Sequence, residues 1–318
     1  MNQKQKVLIT RRVPHEWLSV LDDIAEVTIW DGKNASLMPR DMLMDLIGNY
    51  NAVINFTDIK TDEEFIHQAR QLKIIANVSI GHDNLNLPLL TEKGIWATNT
   101  PGFFTYPTAE YAFVGMMIIL RKMLEADSFV RNGDWHGFEP GRWDGVSLHE
   151  CSVGIIGLGS IGSQLKKLVK AIGADVVYYT RKKSNEKDYR PLDELLRSSD
   201  IISLHVPLNS STKKMVDANF ISKMKDGAIL VNTSRGGILD LNDCIAALKT
   251  GKLGGAVLDV FEDEPHVPAP LRAMKNVLLT PHMAGGTHTV RELSVSAAAR
   301  NVADALSGKK PQHALNSI

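Results

Sequence analysis

Cysteine is nearly missing from this chain: Cys151 and Cys244 are the only two in 318 residues. Two thiols cannot staple a chain of that length, which excludes a disulfide-framed secreted scaffold and points to a reducing compartment. Both sit in apolar patterns that suit buried small hydrophobes better than a reactive thiol. An excess of charge is lacking too. Lys plus Arg and Asp plus Glu are both 36, a formal net charge of zero, which offers no general attraction to nucleic acid or an anionic membrane. No uninterrupted apolar span reaches membrane length, and no apolar stretch follows the polar start Met1-Asn2-Gln3-Lys4-Gln5-Lys6. A cytoplasmic protein with no membrane partner is therefore expected. Repeats of solenoid period are absent, and no metal site is expected.

What remains is an ordinary globular composition, 44% hydrophobic and 23% charged, in a chain too long for a comfortable single core, so two domains are expected. Up to residue 99 short strands (7–10, 27–30, 52–55, 74–78, 95–98) alternate with helical stretches (14–21, 40–47, 62–69), the pattern of a small α/β unit of parallel strands. After the break at Asn99-Thr100-Pro101-Gly102, residues 108–124 are apolar on nearly every face, which predicts a helix buried at an interface between domains or subunits. A Gly, Trp and Pro-rich loop (132–145) leads to six more strands, at 151–156, 175–179, 201–204, 228–232, 256–260 and 277–279, alternating with helices in a doubly wound pattern. A helix over 289–306 closes the chain.

The stretch that organises this second half is Val153-Gly154-Ile155-Ile156-Gly157-Leu158-Gly159-Ser160-Ile161-Gly162. A Gly-x-Gly-x-x-Gly alone is a weak signal, but here a buried-type strand precedes it and a helix pattern follows, with Leu165, Leu168, Val169 and Ile172 recurring at three- and four-residue steps. Gly157 allows the tight turn, Gly159 lets backbone approach a pyrophosphate, and Gly162 lets helix and strand pack closely, so the helix N-terminus faces the anion. A dinucleotide-binding unit is predicted. In an NAD site the next strand ends in Asp or Glu to hold the ribose hydroxyls. This one, Val176-Val177-Tyr178-Tyr179, ends in Thr180-Arg181-Lys182-Lys183. No carboxylate stands there to repel a 2′-phosphate, and Arg181 can grip one with its planar fork, so NADPH is expected over NADH.

Three later strand ends carry side chains suited to carbonyl chemistry. Arg235 follows 228–232, at the sheet edge where open α/β folds bind ligands, and suits a carboxylate and an adjacent carbonyl oxygen. Acids, Glu264 among them, follow 256–260, and His282 follows 277–279. A histidine exchanges its proton near neutral pH, and a Glu partner would orient the ring and favour its charged form. Singly each is weak; together, at strand ends of one cofactor-binding sheet, they can converge beside a nicotinamide.

At these residues the chain resembles the D-isomer-specific 2-hydroxyacid dehydrogenase family, from about Val7 to Leu306. The marks are the glycine turn at 157–162, His205-Val206-Pro207-Leu208, Asn232 to Gly236, Asp259-Val260-Phe261 with Glu264-Pro265, and Pro281-His282. The resemblance implies catalytic roles for Arg235 (substrate arginine), Glu264 (support of the histidine) and His282 (acid/base), with Asp259 holding the nicotinamide carboxamide. It implies that backbone N–H groups of Ser79-Ile80-Gly81 hold the substrate carboxylate beside Arg235. It assigns to the coenzyme Thr108, Gly157, Gly159, Ser160, Ile161, Gly162, Thr180, Arg181, Lys182, His205, Pro207, Thr212, Thr233, Asp259 and His282. The fold implied is a Rossmann doubly wound parallel-sheet cofactor domain, 100–288, inserted in a smaller flavodoxin-like α/β substrate domain, 1–99 and 289–318. A homodimer joined through the cofactor domain is implied as well.

Within the family, Thr180-Arg181-Lys182 with Thr108-Ala109-Glu110 and Trp135 looks most like the glyoxylate and hydroxypyruvate reductases, NADPH-preferring reductases of small 2-oxo acids that give the D-2-hydroxy acid. Phosphoglycerate dehydrogenases carry arginines after the third strand, where this chain reads Asn55-Phe56-Thr57-Asp58 and a phosphorylated substrate would meet an acid. Phosphite dehydrogenases carry Lys before the loop glycine, where Ile80 stands, although Arg291 is basic as in that branch. The resemblance also extends to D-lactate dehydrogenases and to non-enzymatic nucleotide sensors of the corepressor type; no appended tail or further basic cluster favours the sensor.

Overall fold

Parallel strands dominate both halves of the chain. The computed structural model describes residues 4–32 and 38–318; of the polar start, Met1, Asn2 and Gln3 lie outside them. The chain divides into two units, Met1–Phe104 with Thr287–Ile318, and Thr105–Gly286.

The first unit holds β1 (Gln5–Ile9), β2 (Ala25–Ile29), β3 (Ala52–Asn55), β4 (Ile74–Asn77) and β5 (Trp96–Thr98), all parallel in the order β2-β1-β3-β4-β5. That is the flavodoxin-type order. The central strands, Ala-Val-Ile-Asn and Ile-Ile-Ala-Asn, are buried at every position, as a parallel sheet covered on both faces requires. Helix His288–Leu306 covers one face, seating Val295, Ala298 and Val302 against Val7, Ile9 and Ile54. Phe65, Ile66 and Leu90 fill the other. Two local readings change. Residues His15–Leu21 form a 3-10 rather than an α-helix, because an i, i+3 repeat suffices to bury Leu18 and Leu21. A helix at Leu87–Glu92, begun by the Asn86 side chain accepting from Leu89 N–H at 3.2 Å, was not visible as a periodicity.

The second unit holds β6 (Ser152–Ile156), β7 (Asp175–Tyr179), β8 (Ile201–Leu204), β9 (Ala228–Asn232), β10 (Leu253–Leu258) and β11 (Val277–Leu279), all parallel in the order β11-β10-β9-β8-β6-β7. Outside β7 a single bridge pairs Tyr178 with Tyr189. Counted as a residual third strand, it gives the order 3-2-1-4-5-6-7, the 3-2-1-4-5-6 order of dinucleotide-binding sheets with one strand added at the far edge. β10 starts earlier than the apolar run suggests and stops at Leu258, so Asp259 and Val260 lie beyond its end.

The apolar stretch read as one helix over 108–124 is two. The first spans Thr105–Leu120, Lys122 takes a left-handed backbone (φ 50), and a second runs Met123–Arg131. The carbonyl of Leu120, instead of continuing the helix, accepts from Val146 N–H at 3.1 Å. Gly115 lets the first helix cross close to Val257 of β10: an added Cβ would stand 2.8 Å from its Cγ1. Among the described residues no helix is long and apolar enough to cross a membrane.

Candidate active site

β9, β10 and β11 are neighbours, and each releases one reactive side chain just past its C-terminal end. After β9 the turn is held by Asn232, whose amide donates to Arg235 O at 2.9 Å while its carbonyl oxygen accepts from Ser234 N–H at 3.1 Å. Arg235 leaves this turn half-buried, donating from Nη1 to Ser234 O at 2.9 Å. Gly236 follows with no room for a side chain: a Cβ there would collide with the Phe261–Glu262 backbone. This close approach presses the arginine turn against the loop after β10, where Glu264 Oε1 accepts from Phe261 N–H at 2.9 Å.

The other Glu264 oxygen, Oε2, lies 2.9 Å from His282 Nδ1. Burial would raise the Glu264 carboxyl, but the His282 ring, the Phe261 N–H and the charge of Arg235 together hold it below the usual carboxylate range. The anionic Glu fixes the ring through Nδ1 and leaves the opposite ring nitrogen, Nε2, as the atom turned away from the pair.

His282 has φ 52, a left-handed backbone that is uncommon outside glycine, and Asp259 holds it there. Asp259 Oδ1 accepts from the Thr280 hydroxyl at 2.7 Å and Met283 N–H at 2.8 Å; Oδ2 accepts from Ala284 N–H at 2.8 Å. Its own carbonyl accepts from His282 N–H at 2.8 Å. Burial pushes this carboxyl up, against those same donors. Tyr111, from the helix Thr105–Leu120, donates to Thr280 Oγ1 at 2.6 Å and completes the chain of bonds. Tyr111 and Thr280 escaped sequence reasoning: Thr280 is marked only by its place ahead of Pro281-His282, and Tyr111 by nothing.

The glycine turn lies at the end of β6, beside β7 and β8. Gly157 takes φ 96, and a Cβ on Gly162 would strike the Gly157 carbonyl. At Gly159 an added Cβ would meet nothing within 4 Å, so its smallness answers to no packing within the described residues. Helix Ser160–Ala171 starts there without a side-chain cap, and the N–H groups of Ser160, Ile161 and Gly162 point out of its first turn. These features fit a pyrophosphate. Thr233, at the end of β9, adds a buried hydroxyl that lacks a hydrogen-bond partner among the described residues. Thr212 donates to Pro207 O at 2.6 Å and accepts from Asn209 N–H at 2.9 Å, fixing the loop after β8. His205 in that loop shares a hydrogen bond with Ser203 Oγ at 2.8 Å, and burial pushes its ring down to about 4, so it is neutral. Thr108 is buried in the first helix. Beyond β7, Thr180 Oγ1 donates to Lys182 O at 2.8 Å, and Arg181 and Lys182 are exposed and in no ion pair among the described residues.

In the first unit, the loop after β4 has its carbonyls pinned: Ser79 Oγ donates to Gly81 O at 2.7 Å, Asn99 Nδ2 to Ile80 O at 2.8 Å, and Thr100 N–H to Ser79 O at 2.9 Å. The N–H groups of Ile80 and Gly81 have no acceptor among the described residues, an arrangement that suits an anion. Cys151 and Cys244 are both buried, and burial pushes the Cys244 thiol up to about 12, which leaves it inert.

Residues 113–284 match the model of the D-isomer specific 2-hydroxyacid dehydrogenase NAD binding domain. The chain is 38% identical to a glyoxylate reductase of Thermococcus litoralis, over 98% of this chain and 97% of that one. It superposes on a Thermus thermophilus protein with TM-score 0.91 at 32% identity, covering 98% and 100% of the two chains. Against the NADPH-dependent glyoxylate/hydroxypyruvate reductase of Sinorhizobium meliloti, solved with NADP and malonate, the TM-score is 0.85 at 27% identity, covering 98% and 97%.

Proposed function

The chain belongs to the D-isomer-specific 2-hydroxyacid dehydrogenase family of oxidoreductases, and from that premise we propose an NADPH-preferring reductase of small 2-oxo acids, of the glyoxylate and hydroxypyruvate type. The observation that carries this is the set at three adjacent strand ends: Arg235, Glu264, and His282 at 2.9 Å from Glu264. The reduced nicotinamide supplies the hydride. Arg235 polarises the carbonyl as charge develops on its oxygen, and His282, its ring oriented by Glu264 at Nδ1, delivers the proton that completes the D-2-hydroxy acid. Asp259 holds the loop on which His282 stands, and the N–H groups of Ile80 and Gly81 hold the substrate carboxylate. Met1–Phe104 with Thr287–Ile318 is the substrate unit of this reading, and Thr105–Gly286 the cofactor unit.

Arg181 and Lys182, exposed and without ion pairs among the described residues, support NADPH, as does the Sinorhizobium relative, an NADPH-dependent enzyme. Steady-state reduction of glyoxylate, hydroxypyruvate and larger 2-oxo acids with each coenzyme tests the reading, which fails if none is turned over. His282→Ala is expected to lower kcat roughly 100- to 10,000-fold while NADPH still quenches protein fluorescence. Arg181→Ala is expected to cut the ratio of kcat/KM with NADPH to that with NADH by about tenfold or more, a loss of charge-assisted hydrogen bonds. NADH used as well as NADPH by the unaltered protein would remove the coenzyme preference.

A further inference from the structure

A peptide bond is planar, so the N–H of each residue points opposite to the carbonyl of the residue before it, and whatever holds that carbonyl aims the N–H. In the loop after β4 three successive carbonyls are held, each by a different set of donors. Ser79 O accepts from the Thr100 N–H at 2.9 Å and from the Thr100 hydroxyl at 3.3 Å, which aims the Ile80 N–H. Ile80 O accepts from a single donor among the described residues, Asn99 Nδ2 at 2.8 Å, which aims the Gly81 N–H. Gly81 O accepts from Ser79 Oγ at 2.7 Å and Asn77 Nδ2 at 3.4 Å. These last two aim the His82 N–H, which is neither of the groups assigned to the substrate.

The direction of the Gly81 N–H therefore hangs on one side chain. The local backbone gives it no second support, because turning the Ile80–Gly81 plane over changes only ψ of Ile80 and φ of Gly81, and glycine accepts φ of either sign. A plane turned over would point the Ile80 carbonyl oxygen where the N–H had been, and an anion there would meet a lone pair in place of a donor. Asn99 stands where it can prevent this. It is the first residue past β5, the strand paired with β4, and is only 8% exposed, so water does not readily take the place of its amide. Residues 313–316 grip the other side of β5. There Asn99 N–H donates to His313 O at 3.4 Å, Leu315 N–H to Ala97 O at 2.8 Å, and Ala97 N–H to Asn316 Oδ1 at 2.9 Å.

We propose that Asn99 is a positioning residue for the substrate carboxylate: by holding the Ile80 carbonyl it keeps the Gly81 N–H turned toward the anion. This deepens the 2-oxo acid reading given above and rests on it. The carboxylate does not react, so its contact with Gly81 is alike in the bound substrate and the transition state. Losing that contact raises KM and leaves kcat nearly as it was.

The test is titration of the NADPH-saturated protein, isotopically labelled at its glycine and isoleucine amide nitrogens, with oxamate, a carboxylate with an adjacent amide carbonyl that is not reduced. In the unaltered protein the amide protons of Ile80 and Gly81 are both expected to move downfield as oxamate binds. In Asn99→Ala, and in Asn99→Leu, which fills the same space without a donor, the Gly81 movement is expected to vanish while that of Ile80 remains. Oxamate is expected to bind about tenfold more weakly to both, the loss of one charge-assisted hydrogen bond. KM for glyoxylate should rise by about the same factor, with kcat changed by less than about threefold and NADPH affinity unaltered. A Gly81 movement that persists in Asn99→Leu, or oxamate affinity equal to that of the unaltered protein, overturns the proposal. A fall in kcat or NADPH affinity as large as the rise in KM would make Asn99 structural and overturns it as well, as does oxamate moving neither amide in the unaltered protein. If oxamate moves both amides but no 2-oxo acid is reduced, the reductase reading fails, while the comparison of Gly81 with Ile80 still decides the role of Asn99.

Discussion

Asp259 commits both carboxylate oxygens to the loop that carries His282, and this sets what a substitution there does. Asp259→Asn replaces one acceptor oxygen by a donor facing a backbone N–H, so the three side-chain bonds cannot all persist. We expect a loss of about 2–3 kcal/mol in stability with a fall in kcat larger than any rise in KM, read from urea unfolding and steady-state rates; unchanged kcat would mean that the loop holds His282 without Asp259. His205 gives a pH dependence with a definite sign. Its folded-state value of about 4 lies below the free histidine value of 6.5, so between those values the unfolded chain binds more protons. The stabilisation is fully present above about pH 6.5 and is lost progressively as pH falls toward about 4, on the order of 2 kcal/mol by pH 5. Urea midpoints at pH 7 and 5 should show the drop and His205→Gln should flatten it; an equal drop in the mutant would refute the assignment. Arg235, Glu264 and His282 stand out as candidates in the sequence because each follows a buried run. The Tyr111–Thr280–Asp259 chain does not, since its members lie in three segments that only folding brings together.

At the scale of elements, the strand–turn–helix at 152–171 was readable because strand, glycines and helix are contiguous. Its packing implies a specific outcome. An Ala at Gly162 would drive Cβ into the Gly157 carbonyl, so Gly162→Ala should separate helix from strand, cost about 1–3 kcal/mol, and weaken NADPH binding along with stability. A mutant with wild-type melting temperature and coenzyme affinity would show that the turn relaxes freely. The stretch 108–124 has the pattern of one helix and forms two, because uniform hydrophobicity carries no mark of where a helix stops. What ends it is the Val146 N–H, which reaches the Leu120 carbonyl from 26 residues away. The third strand of the dinucleotide sheet shrinks to the Tyr178–Tyr189 bridge for a comparable reason: Glu186-Lys187-Asp188 is too polar to bury, and Lys166 and Lys170 hold Asp188 at the surface.

For the whole molecule, the exposed apolar side chains are unevenly spread. Of fourteen large hydrophobics exposed among the described residues, eight (Tyr106, Val114, Met123, Leu124, Val130, Trp135, Phe138 and Val146) lie between 106 and 146. Exposed apolar side chains concentrated in one segment suit an association surface. The protein is therefore expected to be a homodimer joined through this part of the Thr105–Gly286 unit. Light scattering after size exclusion should give twice the 35.1 kDa chain mass, and charges at Val130 and Phe138 together should shift it toward the monomer. A monomer at micromolar concentration would contradict this surface.

The sequence by itself determined the α/β class and the strand–turn–helix with its glycines, and it offered the candidate reactive side chains, because each depends on contiguous residues and on the spacing of apolar positions along one strand or helix. Only the tertiary structure decided what those side chains face. It set Glu264 on His282, gave Asp259 to the loop rather than to solvent, and placed Arg11 against Asp58 at the third strand end. Charge balance at a sheet edge is a sum over groups far apart in the chain, and a linear pattern does not contain it.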